Sequence, residues 1–140
     1  MRGSRAVMRL WVALAVVVLA CGEKASGPTG PILPSNGEIR LGLSTPNGDD
    51  RAIMLMVTGE IGGLEAAEGF TAFVRTEGET TTAVLVRDGG EAIPTGGVEV
   101  AVIRVEGPSA DFSVKLTQVA TRTHAVRGSL DAYSLSMRTD

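Results

Sequence analysis

Phe112-Ser113-Val114-Lys115-Leu116-Thr117 carries an apolar side chain at every second position and a polar one between. Successive side chains of a strand point to opposite faces, so this alternation reads as a half-buried β-strand with Phe112, Val114 and Leu116 inward. A helix would scatter the same three residues around its circumference.

Working outward, the same period recurs. Val98 to Val105, VEVAVIRV, is strongly β-branched, and Tyr133, Leu135 and Met137 alternate with Ser134, Ser136 and Arg138. Upstream, Ile39, Leu41 and Leu43 alternate with Glu38, Arg40 and Gly42. Ala52 to Thr58, AIMLMVT, is apolar at six of seven positions and reads as a central strand covered on both faces. Phe70 to Thr76 and Thr80 to Asp88 face each other across Glu77-Gly78-Glu79 as a hairpin. The turn Ser44-Thr45-Pro46-Asn47-Gly48-Asp49-Asp50 is dense in turn formers, with Asn-Gly supplying positive φ cheaply. Glu60 to Gly69 reads as a loop with a bend, and Val119 or Val126 adds a short strand before the closing one. No segment sustains a helical period. The expectation is all-β: an antiparallel β-sandwich of about 7–9 strands over residues 38–140.

Charge narrows the function. The first twenty residues hold three of the thirteen basic residues and none of the sixteen acids, so the remainder carries a net charge near −6. Its acids and bases are interleaved. Nucleic acid and polybasic membrane contacts need clustered Lys and Arg, so neither is expected.

The chemistry-bearing residues are few. Cys21 is the sole cysteine, which excludes intramolecular disulfides and thiolate metal clusters. His124 is the sole histidine, and neither a zinc site nor a nucleophile-base-acid device is built around it. Asp49 and Asp50 offer hard oxygens to calcium, but without a spaced D-x-D-x-D-G loop the expected role of Asp49 is to order its turn through backbone amides. Glu65, Glu68, Glu77 and Glu79 fall in expected loops or turns as solvated surface. No phosphate-cradling glycine motif occurs. No enzyme is expected. Phe112 and Tyr133 fall on core faces, whereas Phe70 and Phe73 point to opposite sides of their strand. Phe70, Phe73 and Val74 are therefore the expected binding surface.

The N-terminal segment speaks of location. Arg2, Arg5 and Arg9 precede the uncharged run Leu10 to Ala20, whose eleven residues fall short of the about 20 that span a bilayer. A cationic start, short apolar core and small final residue form a secretory signal, residues 1–20. Its end, Val18-Leu19-Ala20-Cys21-Gly22, resembles the lipobox of bacterial lipoproteins. The resemblance implies diacylglycerol on the Cys21 sulfur, cleavage before it and acylation (palmitate-type chains) of the new amino terminus. Several acyl chains hold a membrane far more firmly than one. Gly22, rather than aspartate, after the cysteine implies the outer membrane in a cell that has one. Residues 21–37, rich in proline and glycine, then read as a flexible tether with a reach on the order of 40 Å.

From Glu38 onward the layout is similar to cohesin and carbohydrate-binding-module sandwiches, through IRLGLS, AIMLMVTGEIGGLEAAEGF, IPTGGVEVAVIRV and FSVKLTQVATRTHAV. It also looks like short uncharacterised lipoproteins with a T-P-N-x-D-D turn, here Thr45 to Asp50. The resemblances bear on fold and anchoring. The expected function, read from the anchor, the sandwich and its exposed faces, is an exported, lipid-anchored binding or scaffolding module at the cell envelope that acts through protein contacts at its sheet face or loops. The alternative is a module binding envelope or exopolysaccharide.

Overall fold

The computed structural model describes residues 37–106 and 112–139, so the expected signal, Cys21 and all of the tether except Gly37 lie outside it. Eight strands occur among the described residues: β1 (Gly37–Thr45), β2 (Asp50–Thr58), β3 (Ile61–Ala66), β4 (Phe70–Glu77), β5 (Thr80–Arg87), β6 (Gly96–Val105), β7 (Ser113–Thr121) and β8 (Ser134–Thr139). They form two four-stranded sheets, ordered β3-β6-β1-β8 and β4-β5-β2-β7, with every pairing antiparallel. The all-β sandwich expected from the alternation is the fold.

Each strand contributes one face to a common core. Ile39, Leu41 and Leu43 of β1 and Val100, Ala101, Ile103 and Val105 of β6 meet Ile53, Leu55 and Val57 of β2, Leu85 of β5 and Val119 of β7. Two bulges adjust the pattern. In β6 the pairing slips between Leu41 and Gly42, so Val100 and Ala101 both turn inward. In β7 the slip falls opposite Met54 and Leu55, and the extra residue, Thr117, donates its hydroxyl to Met54 O at 3.1 Å. The inward set accordingly shifts from Val114 and Leu116 to Val119.

Connections pass between the sheets with one exception, the β4–β5 hairpin. Its two-residue turn, Gly78-Glu79, places Gly78 at φ 61, in the left-handed region that glycine enters without a Cβ penalty. At one end of the sandwich the loop before β6 dips inward. Ile93 is buried there, and its N–H donates to Asp50 O at 2.6 Å.

Three expectations are corrected. Glu60 to Gly69 is not simply a loop: it contains β3, which pairs along β6 with a bulge at Gly62. Two adjacent glycines erase the alternation there, leaving Ile61, Leu64 and Ala66 as its half-buried remainder. The β2 strand is central in hydrogen bonding but not covered on both faces, since Met56 is 41% exposed. An antiparallel sandwich buries only one face of each sheet. Val119 belongs to β7, and Val126 forms an isolated bridge to Ala120 rather than a strand.

Candidate functional site

The outward residues of β4, β5, β2 and β7 form a grid fixed by strand register. One row runs Phe73, Val84, Met54, Gln118; the next runs Arg75, Thr82, Met56, Lys115; on the other side lie Thr71, Val86, Ala52 and Ala120. With strands about 4.8 Å apart, each row spans about 14 Å. Phe73, Val84, Met54, Met56 and Val86 make the middle of this face apolar. Phe73 is 63% exposed. A shallow depression lies among Ala52, Met54, Val84, Gln118 and Ala120, where two alanines leave room beside longer neighbours. Arg75 and Lys115 place positive charge at the margin, with Arg75 paired to Glu77.

The outer face of the other sheet is built differently. Its register brings Glu38, Arg40, Ser44, Glu99, Arg104, Ser134, Ser136 and Arg138 outward, with an Arg40–Glu99 bridge at 3.1 Å. The sandwich thus has one ionic face and one apolar face.

A second constellation closes the end of the sandwich. Asp50 is 0% exposed, and both its carboxylate oxygens accept hydrogen bonds. Thr45 Oγ1 at 2.5 Å and Tyr133 Oη at 2.7 Å donate to Oδ2, while Arg127 Nε at 2.8 Å donates to Oδ1. A terminal nitrogen of Arg127 lies 2.7 Å from the same Oδ1 and also contacts Asp49. Tyr133 Oη in turn accepts from Asn47 Nδ2 at 2.7 Å. The residues of the Thr-Pro-Asn-Gly-Asp-Asp turn are thereby tied to the loop between β7 and β8.

The electrostatics follow from this bonding. Burial alone would push the Asp50 carboxyl up, yet the bonds from Thr45, Tyr133 and Arg127, with the guanidinium charge, hold it below the usual range. The Arg127 guanidinium, bonded first to Asp50 and then to Asp49, is held charged still more firmly than usual. Burial and the neighbouring Asp50 push the Tyr133 phenol up. Carboxylate, guanidinium and neutral phenol form a satisfied set, which fits a structural clamp.

The residues singled out from sequence separate here. Phe70 is buried beneath Arg87, whose guanidinium carbon lies 5.2 Å from the ring centre, so it belongs to the core margin. Phe73 is on the apolar outer face. Val74, 45% exposed, points to the core side of the same edge strand. At Asp49 and Asp50, a calcium ion would have to displace the Arg127 guanidinium, which pairs with both carboxylates. His124 is exposed at φ 67 in a turn, its N–H bonded to Thr121 O. Glu65, Glu68, Glu77 and Glu79 are exposed. Met54, Met56 and Val84, passed over in the sequence, carried one signal: apolar residues on the parity opposite to Ile53, Leu55 and Leu85.

No protein-family model, curated protein or solved structure matches this chain.

Proposed function

We propose that this chain is a non-catalytic binding module of the cell envelope, held by lipid on Cys21, that takes a protein partner on the outer face of the β4-β5-β2-β7 sheet. The contrast between the two outer faces carries the reading. A solvated sheet face is expected to be polar, as the Glu38–Arg104 side is. The Phe73, Val84, Met54, Met56 cluster instead leaves apolar area that a partner would remove from water at roughly 25 cal/mol per Å². Methionines suit such a surface because their unbranched side chains adapt to what they meet. The network around Asp50 ties down one end of that sheet, since β2 begins at Asp50, which pairs with Thr121 at the end of β7.

The test is retention of envelope protein by the full chain and by two variants, Met54→Ser/Met56→Ser and Phe73→Ser. Retention of a discrete protein that falls at least tenfold in the variants, with unchanged unfolding midpoints, supports the reading. Equal retention by all three removes the face from the proposal. Saturable binding of purified envelope polysaccharide alone moves the module to the carbohydrate-binding alternative. Lipidation is tested separately by labelled fatty acid, which Cys21→Ser would fail to incorporate.

A further inference from the structure

The four edge strands of the sandwich are unequal. At the edges of the first sheet, β3 has six residues and a bulge and β8 has six residues. At one edge of the second, β7 is bulged at Thr117, and its pairing with β2 slips again where β2 carries the extra residue Arg51. Short length and bulges are the devices by which sheets discourage pairing with other chains. The remaining edge, β4, has eight residues, no proline, and an unbroken register along β5 from Phe70 to Glu77.

Which backbone groups face outward follows from the hairpin. Its closing pair, Glu77 with Thr80 across a two-residue turn, is a hydrogen-bonded pair, so bonding to β5 recurs at Arg75, Phe73 and Thr71. Two bonds beyond the strand agree with this phase. Asp88 N–H donates to Gly69 O at 3.0 Å, and the Phe70 N–H turns away to Ala67 O at 3.1 Å. The outward donors and acceptors of β4 are therefore those of Ala72, Val74 and Thr76.

We propose that two copies of this chain join through their β4 edges, antiparallel about a twofold axis at Val74. In that register Val74 exchanges both backbone bonds with its counterpart, and Ala72 does the same with Thr76 of the other copy. All three outward residues on each copy are then matched, giving six bonds. On the outer face Phe73 falls opposite Arg75, twice, where a guanidinium can lie over a ring. Thr71 falls opposite Glu77. A register one residue earlier would bring Thr76 against Phe70, whose N–H is already taken. One residue later would set Arg75 against Arg75. Val74 adds an apolar reason: it faces the core side of the sheet, opposite Ala83, yet remains 45% exposed, and only a neighbouring strand would cover it. The contact joins the two sheets into one of eight strands and brings both apolar outer faces to the same side. It depends neither on lipidation nor on that face having a partner.

Sedimentation of the full chain in detergent, together with cysteine cross-linking, tests this. The wild type is expected to dimerise reversibly. Val74→Lys, a charge of the kind that blunts natural edges, is expected to weaken association at least about tenfold while leaving the circular dichroism spectrum unchanged. In a Cys21→Ser background, Phe73→Cys chains mixed with Arg75→Cys chains should form the mixed disulfide in preference to either self-disulfide. A monomer at every concentration, a dimer indifferent to Val74→Lys, or preferential self-linking of Phe73→Cys would each overturn the proposal.

Discussion

Tyr133 donates its phenolic hydrogen to Asp50 Oδ2 at 2.7 Å across 83 positions of chain. The bond joins the start of β2 to the residue just before β8, strands that belong to different sheets. Removing it isolates two groups at once. Tyr133→Phe takes one donor from a fully buried carboxylate and the acceptor from Asn47 Nδ2. An expected loss of about 1–2 kcal/mol would be read from urea unfolding.

Arg127→Ala should cost more. It leaves the buried Asp50 carboxylate without its guanidinium, so the charge loses its compensation as well as its hydrogen bonds. The double variant Arg127→Ala/Asp50→Asn should recover part of that loss, because the uncompensated charge is gone. A double-mutant cycle would measure the recovery as coupling energy.

Acid should act at the same place. The Asp50 carboxyl is held lower in the folded chain than in the unfolded one, so it stabilises the fold above its ordinary range, near pH 4. That contribution is lost as the pH falls through the lowered value. Tyr133 acts in the opposite sense: its phenol is raised, so its contribution is present below its ordinary range, near pH 10, and is lost above it. Unfolding midpoints measured from pH 2 to 11 should show a plateau with a fall at each end. Asp50→Asn should flatten the acid limb.

The two faces of β2 should respond unequally to truncation. Leu55, fully buried, should cost about 3 kcal/mol as Leu55→Ala. Met56→Ser, at 41% exposure on the outer face, should cost less than about 1 kcal/mol. Equal losses would mean that both faces of this strand are buried in solution.

That asymmetry also marks where sequence reading stopped. Strands β1 and β7 were legible because Ile39, Leu41 and Leu43, like Val114 and Leu116, alternate with polar neighbours. In β2 the outward positions are methionines, and an apolar residue left in water looks the same in sequence as one in the core. Strand β3 was hidden by Gly62 and Gly63, which carry no side chain to show a period. The Asp50 cluster was half visible: turn chemistry singled out Thr45 to Asp50, but Arg127 and Tyr133 lie 77 and 83 positions away. No local pattern joins them. Of the surface expected at Phe70, Phe73 and Val74, parity correctly put Phe70 and Phe73 on opposite sides, but could not say that Arg87 would cover the first ring.

The crossing of nearly every connection between sheets bears on how the chain reaches this state. Outside the β4–β5 hairpin, each strand must find partners far away in sequence, and such non-local pairing places a fold among the slower, millisecond-to-second class. The hairpin alone can close locally, within about 1–10 μs. It would stand formed, with Ala72, Val74 and Thr76 unpaired along its rim, long before β2 arrives on its other side. Crowded nascent chains would then meet through that rim as well as through the still-open edge of β5, so the yield of refolding should fall with protein concentration, and less steeply when Val74 is replaced by lysine.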